Sequence, residues 1–225
     1  MIRSSRLYRE ALPVELKPRK DRDGRREAIL DVATEVFLEV GYSCASMSTI
    51  AARVGGSKGT LYNYFKSKEE LFAAYVERYC ARYQEVMDEL IVNAPDVRAG
   101  LKGIGRTLLT VATTGVGLRN FTVIVSESGR APDIGRNFYE MGPLHGIAQL
   151  AGFIGRAQAD GRLRPCDPVL AAHQFVGMCQ NRLLKARLCG YGREPTAAEI
   201  EAEVEAAVDT FMAAFGPRAP AGTSD

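Results

Sequence analysis

The stretch SMSTIAARVGGSKGTLYNYFKSKEEL, residues 46–71, decides how this chain is to be read. Ser46 can cap a short helix that carries Ile50 and Val54 inward. Val54-Gly55-Gly56-Ser57 then reads as a turn, with glycine supplying backbone freedom and serine the next N-cap. A second short helix follows from Lys58 to Phe65. Ser67-Lys68-Glu69-Glu70 has the spacing of a capping box, in which the serine hydroxyl takes the third N–H and the glutamate reaches back. From there LFAAYVERYCARYQEVMDELIV continues as one helix of about 25 residues, long enough at 1.5 Å per residue to join a head to a body.

Working outward, Ile29, Ala33, Val36, Phe37 and Val40 form one apolar stripe of an earlier helix that Gly41 should end. Residues 1–23 carry two prolines and no sustained period, and are expected to be a flexible basic arm. Nine basic against four acidic residues through Arg26 suit contact with phosphates. Downstream, helical patterns run over 97–114, 119–128 and 132–160, the last kinked or divided at Pro143. Asp167-Pro168 should cap a helix lasting to about Cys189, and Thr196 should open a last one with Ile200, Val204, Ala207, Val208, Phe211 and Phe215 on its apolar side. The expected fold is all-α: a three-helix helix-turn-helix head over 24–68, a helical body over 69–216, and a flexible tail over 217–225.

A helix, a tight turn and a helix place the second helix in the DNA major groove, where base edges carry a readable donor and acceptor code. With Leu61 and Phe65 packed inward, the 100° step puts Gly59, Thr60 and Asn63 on the opposite face, flanked by Tyr62 and Tyr64. Gly59 lets backbone approach DNA, Thr60 suits a thymine methyl or a phosphate, Asn63 suits base edges, and the tyrosine hydroxyls suit phosphates. Lys58 can swing to a phosphate or a guanine, and Lys68 can hold the DNA backbone. The residues alone leave open that this is merely the polar and aromatic surface of a small helical subdomain.

Charge favours the first reading. The net charge is only +2, but Lys and Arg outnumber Asp and Glu thirteen to eight through Lys68, and trail them sixteen to nineteen beyond it. A basic head on an acidic body is the asymmetry expected when one end meets a polyanion. Cys44, Cys80, Cys166, Cys179 and Cys189 form no CxxC pair, and His145 and His173 give no zinc spacing, so neither metal nor cofactor is expected. Without a signal peptide or a long apolar run, a cytoplasmic location is expected, with reduced thiols and no membrane contact.

Residues 50–71 resemble the N-terminal signature of the TetR family of bacterial transcriptional regulators, with dense agreement over 25–76. ESGRAPDIGRNFYE and ADGRLRPCDP, within 121–164 and just after, resemble the regulatory half of its AcrR/AefR-like members more loosely. Gly56 departs from the pattern, the family more often having a small apolar residue such as valine there. The resemblance implies a homodimer whose fourth helix links head to ligand pocket and whose last two helices form a four-helix interface. It places Ser57, Lys58, Gly59, Thr60, Tyr62, Asn63 and Tyr64 on the recognition element, with Ser46 and Lys68 at phosphates. The partners it implies are a palindromic double-stranded operator and a small-molecule effector.

PVLAAHQFVGMCQNRLLKARLC, residues 168–189, is apolar nearly all round, as a dimer seam would be. Tyr79, Phe121, Phe138, Tyr139, Phe153, Phe175 and Met178 are the available pocket lining, and the scarcity of charge among them favours a lipophilic effector. Glu127, Arg130, Asp133 and Arg136 surround the break before Pro132 and can form either a hinge or a solvated cluster. The chain reads as a non-enzyme: it has no HExxH, no phosphate-binding glycine loop and no local nucleophile signature. A helical enzyme, or a dimeric DNA-binding protein that senses nothing, are the competing readings.

Overall fold

The computed structural model describes residues 22–217, among which every regular element is helical. The helices are α1 (Arg22–Cys44), α2 (Met47–Val54), α3 (Lys58–Tyr64), α4 (Lys68–Val92), α5 (Val97–Thr113), α6 (Gly115–Ser128) and α7 (Pro132–Tyr139). After a π-helical turn (Glu140–Leu144) come α8 (His145–Ala159), α9 (Pro168–Gln180), α10 (Leu183–Leu188) and α11 (Ala197–Phe215). The basic arm expected over 1–23 lies outside the described residues except for 22 and 23, which are already helical, and the tail over 217–225 lies outside them except for 217. No single described helix is long and apolar enough to cross a membrane.

The described residues divide into two compact units, one of 22–83 and 116–142, the other of 84–115 and 143–217. The first is built on α1, whose Ile29, Leu30, Ala33, Val36 and Phe37 are almost fully buried. Val40, expected on that stripe, is 47% exposed. The chain leaves the helix at Gly41 (φ 76, ψ 166) and delivers Tyr42 to the core instead. There Phe37 and Phe72 meet edge to face at 4.9 Å, with Tyr42 4.6 Å and Tyr75 5.3 Å from Phe72. Ile124 and Phe138 belong to the same core, so the compact unit around the helix-turn-helix takes in α6 and α7, well beyond the 24–68 segment.

Polar side chains fix the register of these helices. Arg78 of α4, largely buried, donates to Glu27, Asp31 and Thr34, which lie on one face of α1. At the start of α4 the Ser67 hydroxyl accepts the Glu70 N–H at 3.1 Å, but Glu70 reaches one residue further back than a capping box requires, to the Lys66 N–H at 2.6 Å.

In the second unit α5 packs on α11 and α8 on α9. Small residues let them close: a Cβ on Gly100 would stand 2.5 Å from the Phe153 ring, and one on Gly105 3.0 Å from Val204 and 3.3 Å from both Cys179 and Phe175. Thr196 and Glu199 complete a reciprocal capping box at α11. The single helix expected from Asp167 to Cys189 is interrupted at Asn181-Arg182, where Arg182 pairs with Glu203 of α11.

Candidate nucleic-acid interface

The two helices of the turn open with the same device. Ser46 and Ser57 are N-caps, each accepting the N–H of the threonine three residues on, Thr49 and Thr60, at 3.1 Å. Each serine hydroxyl also bonds that threonine's hydroxyl, at 2.9 Å and 3.0 Å. Between the helices Gly55 adopts φ 73 and its N–H closes α2, a conformation that strains any residue with a Cβ. Leu61 and Phe65 anchor α3 in the core, 2% and 1% exposed.

This leaves Ser57, Lys58, Gly59, Tyr62 and Asn63 exposed, and Thr60 and Tyr64 half-buried. Tyr64 packs against the core, and Tyr62 stands 43% exposed. The outward face is therefore a lysine ammonium, a bare stretch of backbone, an amide and a phenol, held on a helix whose own orientation is fixed by two buried anchors. Such a face can donate and accept along base edges while its backbone lies close to DNA.

Lys68 is placed differently from the other candidates. Its Nζ donates to the carbonyls of Tyr42 at 2.9 Å and Ala45 at 3.1 Å, with Ser43 at 3.4 Å, and sits 4.3 Å from the Tyr42 ring centroid. The ammonium thus caps the C-terminal end of α1, where the negative end of the helix dipole favours a cation. The Tyr42 hydroxyl donates in turn to Glu69 at 3.0 Å. Burial, then the Glu69 carboxylate, raises the phenol far above its usual range, and the hydrogen bonds to Glu69 hold that carboxyl below its own. Thr49 was not singled out from sequence, although the spacing Ser-x-x-Thr occurs at both helix starts and marks it as the counterpart of Thr60.

The seven aromatic and methionine candidates for an effector pocket fall into both units. In the first, Tyr79 and Phe121 are half-buried against the core, Phe121 meets Phe138 at 6.0 Å and 68°, and Tyr139 is 53% exposed. Nearby in the same unit Tyr75 and Asn120 form a fully buried polar pair. In the second, Phe153 fills the space above Gly100, and Phe175 packs edge to face on Phe211. Met178 lies in an open, largely apolar groove of ≈ 480 Å³ between α9 and α11, with Gly177, Phe211, Ala214 and Phe215.

Of the four charged residues around Pro132, two converge and two do not. Glu127 is buried, and its two oxygens accept from the Ser43 hydroxyl at 2.9 and 3.1 Å, while Arg130 reaches the same hydroxyl at 3.0 Å. Asp133 and Arg136 pair with each other on the surface. Burial pushes the Cys80 and Cys179 thiols up to about 12, and no three His, Cys, Asp or Glu among the described residues are grouped to hold a metal ion.

Residues 29–75 match the profile of bacterial regulatory proteins of the tetR family, and residues 99–217, over half of the chain, match the C-terminal domain of AefR-like transcriptional repressors. The chain belongs to the TetR family. Members of this family are transcription regulators rather than enzymes. Among solved structures, this TetR-family protein is similar to a putative TetR-family regulator from Mesorhizobium loti, with TM-score 0.81 and 27% identity over 88% of this chain and 100% of that one. It is also similar to the flavonoid-responsive regulator FrrA, with TM-score 0.72 and 34% identity over 88% and 100%. The transcriptional repressor ComR of Escherichia coli is 26% identical over 72% of this chain and 79% of its own length. The transcriptional activator FasR of Mycolicibacterium smegmatis is 48% identical, but over 27% of this chain and 28% of its own length. The stretches shared with the first curated relatives thus cover about a third of those proteins or less.

Proposed function

We propose that this TetR-family protein is a homodimeric, cytoplasmic transcriptional repressor that reads a palindromic operator with α3 and releases it on binding a small lipophilic molecule. The observation that carries the reading is the exposed face of Lys58, Gly59, Tyr62 and Asn63 on a helix locked by Leu61 and Phe65. Ser57 and Thr60 stand at its start, where the cap leaves their hydroxyls with capacity for a phosphate. Repression is favoured over activation because the repressor profile and the repressor ComR match across the body, whereas the likeness to the activator FasR is confined to a short stretch.

The half-buried Tyr79 and Phe121 beside Phe138 offer an apolar lining with the Tyr75–Asn120 pair as its polar element, which suits a small lipophilic effector. FrrA answers to flavonoids, in keeping with a ligand of that size and polarity. The Glu127–Ser43 contact joins α6 to the end of α1, so a shift of α6 on binding would bear directly on the head. The groove between α9 and α11 is the surface on which a second copy would seat, two-fold symmetry making Met178 and Phe215 contacts of both protomers.

The test is fluorescence anisotropy on a duplex from the region upstream of the protein's own reading frame, beside a scrambled duplex. Tight binding to the first alone, weakened at least tenfold by Tyr62→Ala and abolished by an effector, is the expected result. Equal, weak binding to both duplexes would overturn it. Sedimentation should give a dimer that Met178→Glu converts to monomer.

A further inference from the structure

The turn between α2 and α3 contains one glycine with a conformational reason and one without. Gly56 does not adopt positive φ, so nothing in its backbone excludes a side chain. What occupies its side-chain space is Arg25: a Cβ on Gly56 would stand 3.1 Å from Arg25 Nη2 and 3.9 Å from Thr60 Cβ. The guanidinium of the first turn of α1 and the Thr60 side chain of the recognition helix therefore flank the same small space. The neighbouring Arg26 is anchored, its guanidinium 5.0 Å over the ring of Phe65 at the other end of α3. With Arg26 committed to Phe65 and α1 held by Arg78, the helical turn that carries Arg25 is fixed by packing that has nothing to do with Arg25 itself.

Arg25 is exposed, and among the described side chains it has no carboxylate partner. Other arginines of the same unit are paired, Arg53 with Glu39 and Arg78 with Glu27 and Asp31. An exposed guanidinium without a carboxylate partner among the described side chains, seated by a glycine beside the DNA-reading helix, has the chemistry to clamp a backbone phosphate, which a planar fork of donors recognises well.

We infer that Arg25 is a DNA-phosphate contact and that Gly56 is the residue that makes room for it, so that the bulk at position 56 sets the strength of the protein's grip on the DNA backbone. The inference rests on the proposal that α3 reads DNA. A phosphate contact adds affinity without sequence information, so its loss should weaken specific and non-specific binding alike.

The experiment measures binding of the full chain to the upstream duplex and to the scrambled duplex across a salt series, for the wild type, Arg25→Ala, Gly56→Val and the double variant. Arg25→Ala should weaken binding roughly tenfold to both duplexes and lower the slope of log affinity against log salt by about 0.9. Gly56→Val, which displaces the guanidinium, should do the same in the wild-type background and nothing further in Arg25→Ala, with Arg25→Lys intermediate. Thermal unfolding of each variant shows that the head is folded. Unchanged affinity and slope in Arg25→Ala, with Tyr62→Ala still deleterious, overturns this inference and leaves the DNA-binding reading standing. A loss confined to one base position of the duplex overturns the phosphate assignment. A wild type that binds neither duplex removes both.

Discussion

Glycine serves two opposite ends in this protein, and a pair of glycines from each unit shows them. In the unit that carries the helix-turn-helix, Gly41 and Gly55 adopt φ 76 and 73 with nothing within 4 Å of where a Cβ would be, so they are there for backbone direction. In the other unit Gly100 and Gly105 lie inside an ordinary helix and are there for space, a Cβ on either meeting Phe153 or Val204 and Phe175. The first unit fills its core with large aromatic side chains packed ring against ring. The second brings backbones close and lets aromatic rings lie over the gaps. A reading surface needs helix ends aimed in particular directions, whereas a body needs area in contact.

The strongest test of this contrast is removal of a ring from the first core. Phe37→Ala should cost about 4 kcal/mol, because it leaves a cavity among the rings of Phe72, Tyr42 and Tyr75 that pack on it, and urea unfolding would show it. Next comes overpacking of the second: Gly100→Val should lower stability by about 2 kcal/mol through the clash with Phe153, and Phe153→Leu in the same chain should restore part of the loss. Full stability in Gly100→Val would show that the close approach is slack. Gly55→Ala should cost about 1 kcal/mol through its left-handed backbone alone, and Gly55→Asn less, since asparagine tolerates that region. If Gly55→Asn were as harmful as Gly55→Ala, space rather than direction would be the constraint there.

The smallest effect belongs to the exposed charges of the second unit, where Arg98, Lys102 and Arg106 of α5 pair with Glu201, Glu205 and Asp209 of α11. Arg193, with the N–H and hydroxyl of Thr196, holds the Glu199 carboxyl down to about 2 against 4.5 in the unfolded chain. Its folded value is depressed, so its contribution is complete above pH 4.5 and disappears as the pH falls toward 2. The difference in unfolding midpoint between wild type and Glu199→Gln should therefore be small and flat near neutrality, shrink below pH 4.5 and vanish near pH 2. A difference that persists at pH 2 would assign the effect to the shape of the cap and not its charge.

The sequence by itself determined the head. Serine caps at 46 and 57, a Gly-Gly turn and inward Leu61 and Phe65 are local signals, each acting within a few residues, and the helices they imply are the helices found. Likewise the 25-residue α4 and the start of the last helix at Thr196 were legible, because a helix start is chemistry between near neighbours. Only the tertiary structure decided what depends on residues far apart in the chain. It turned Val40 outward in favour of Tyr42, drew α6 and α7 into the core of the first unit, and bound Lys68 to the carbonyls at the end of α1. It also seated Arg25 against Gly56, 31 positions away in the chain. Periodicity tells which face of a helix is apolar, but not which distant helix covers it; a lysine's partners, and the reason for a glycine that needs no special backbone, appear only when the chain has folded back on itself.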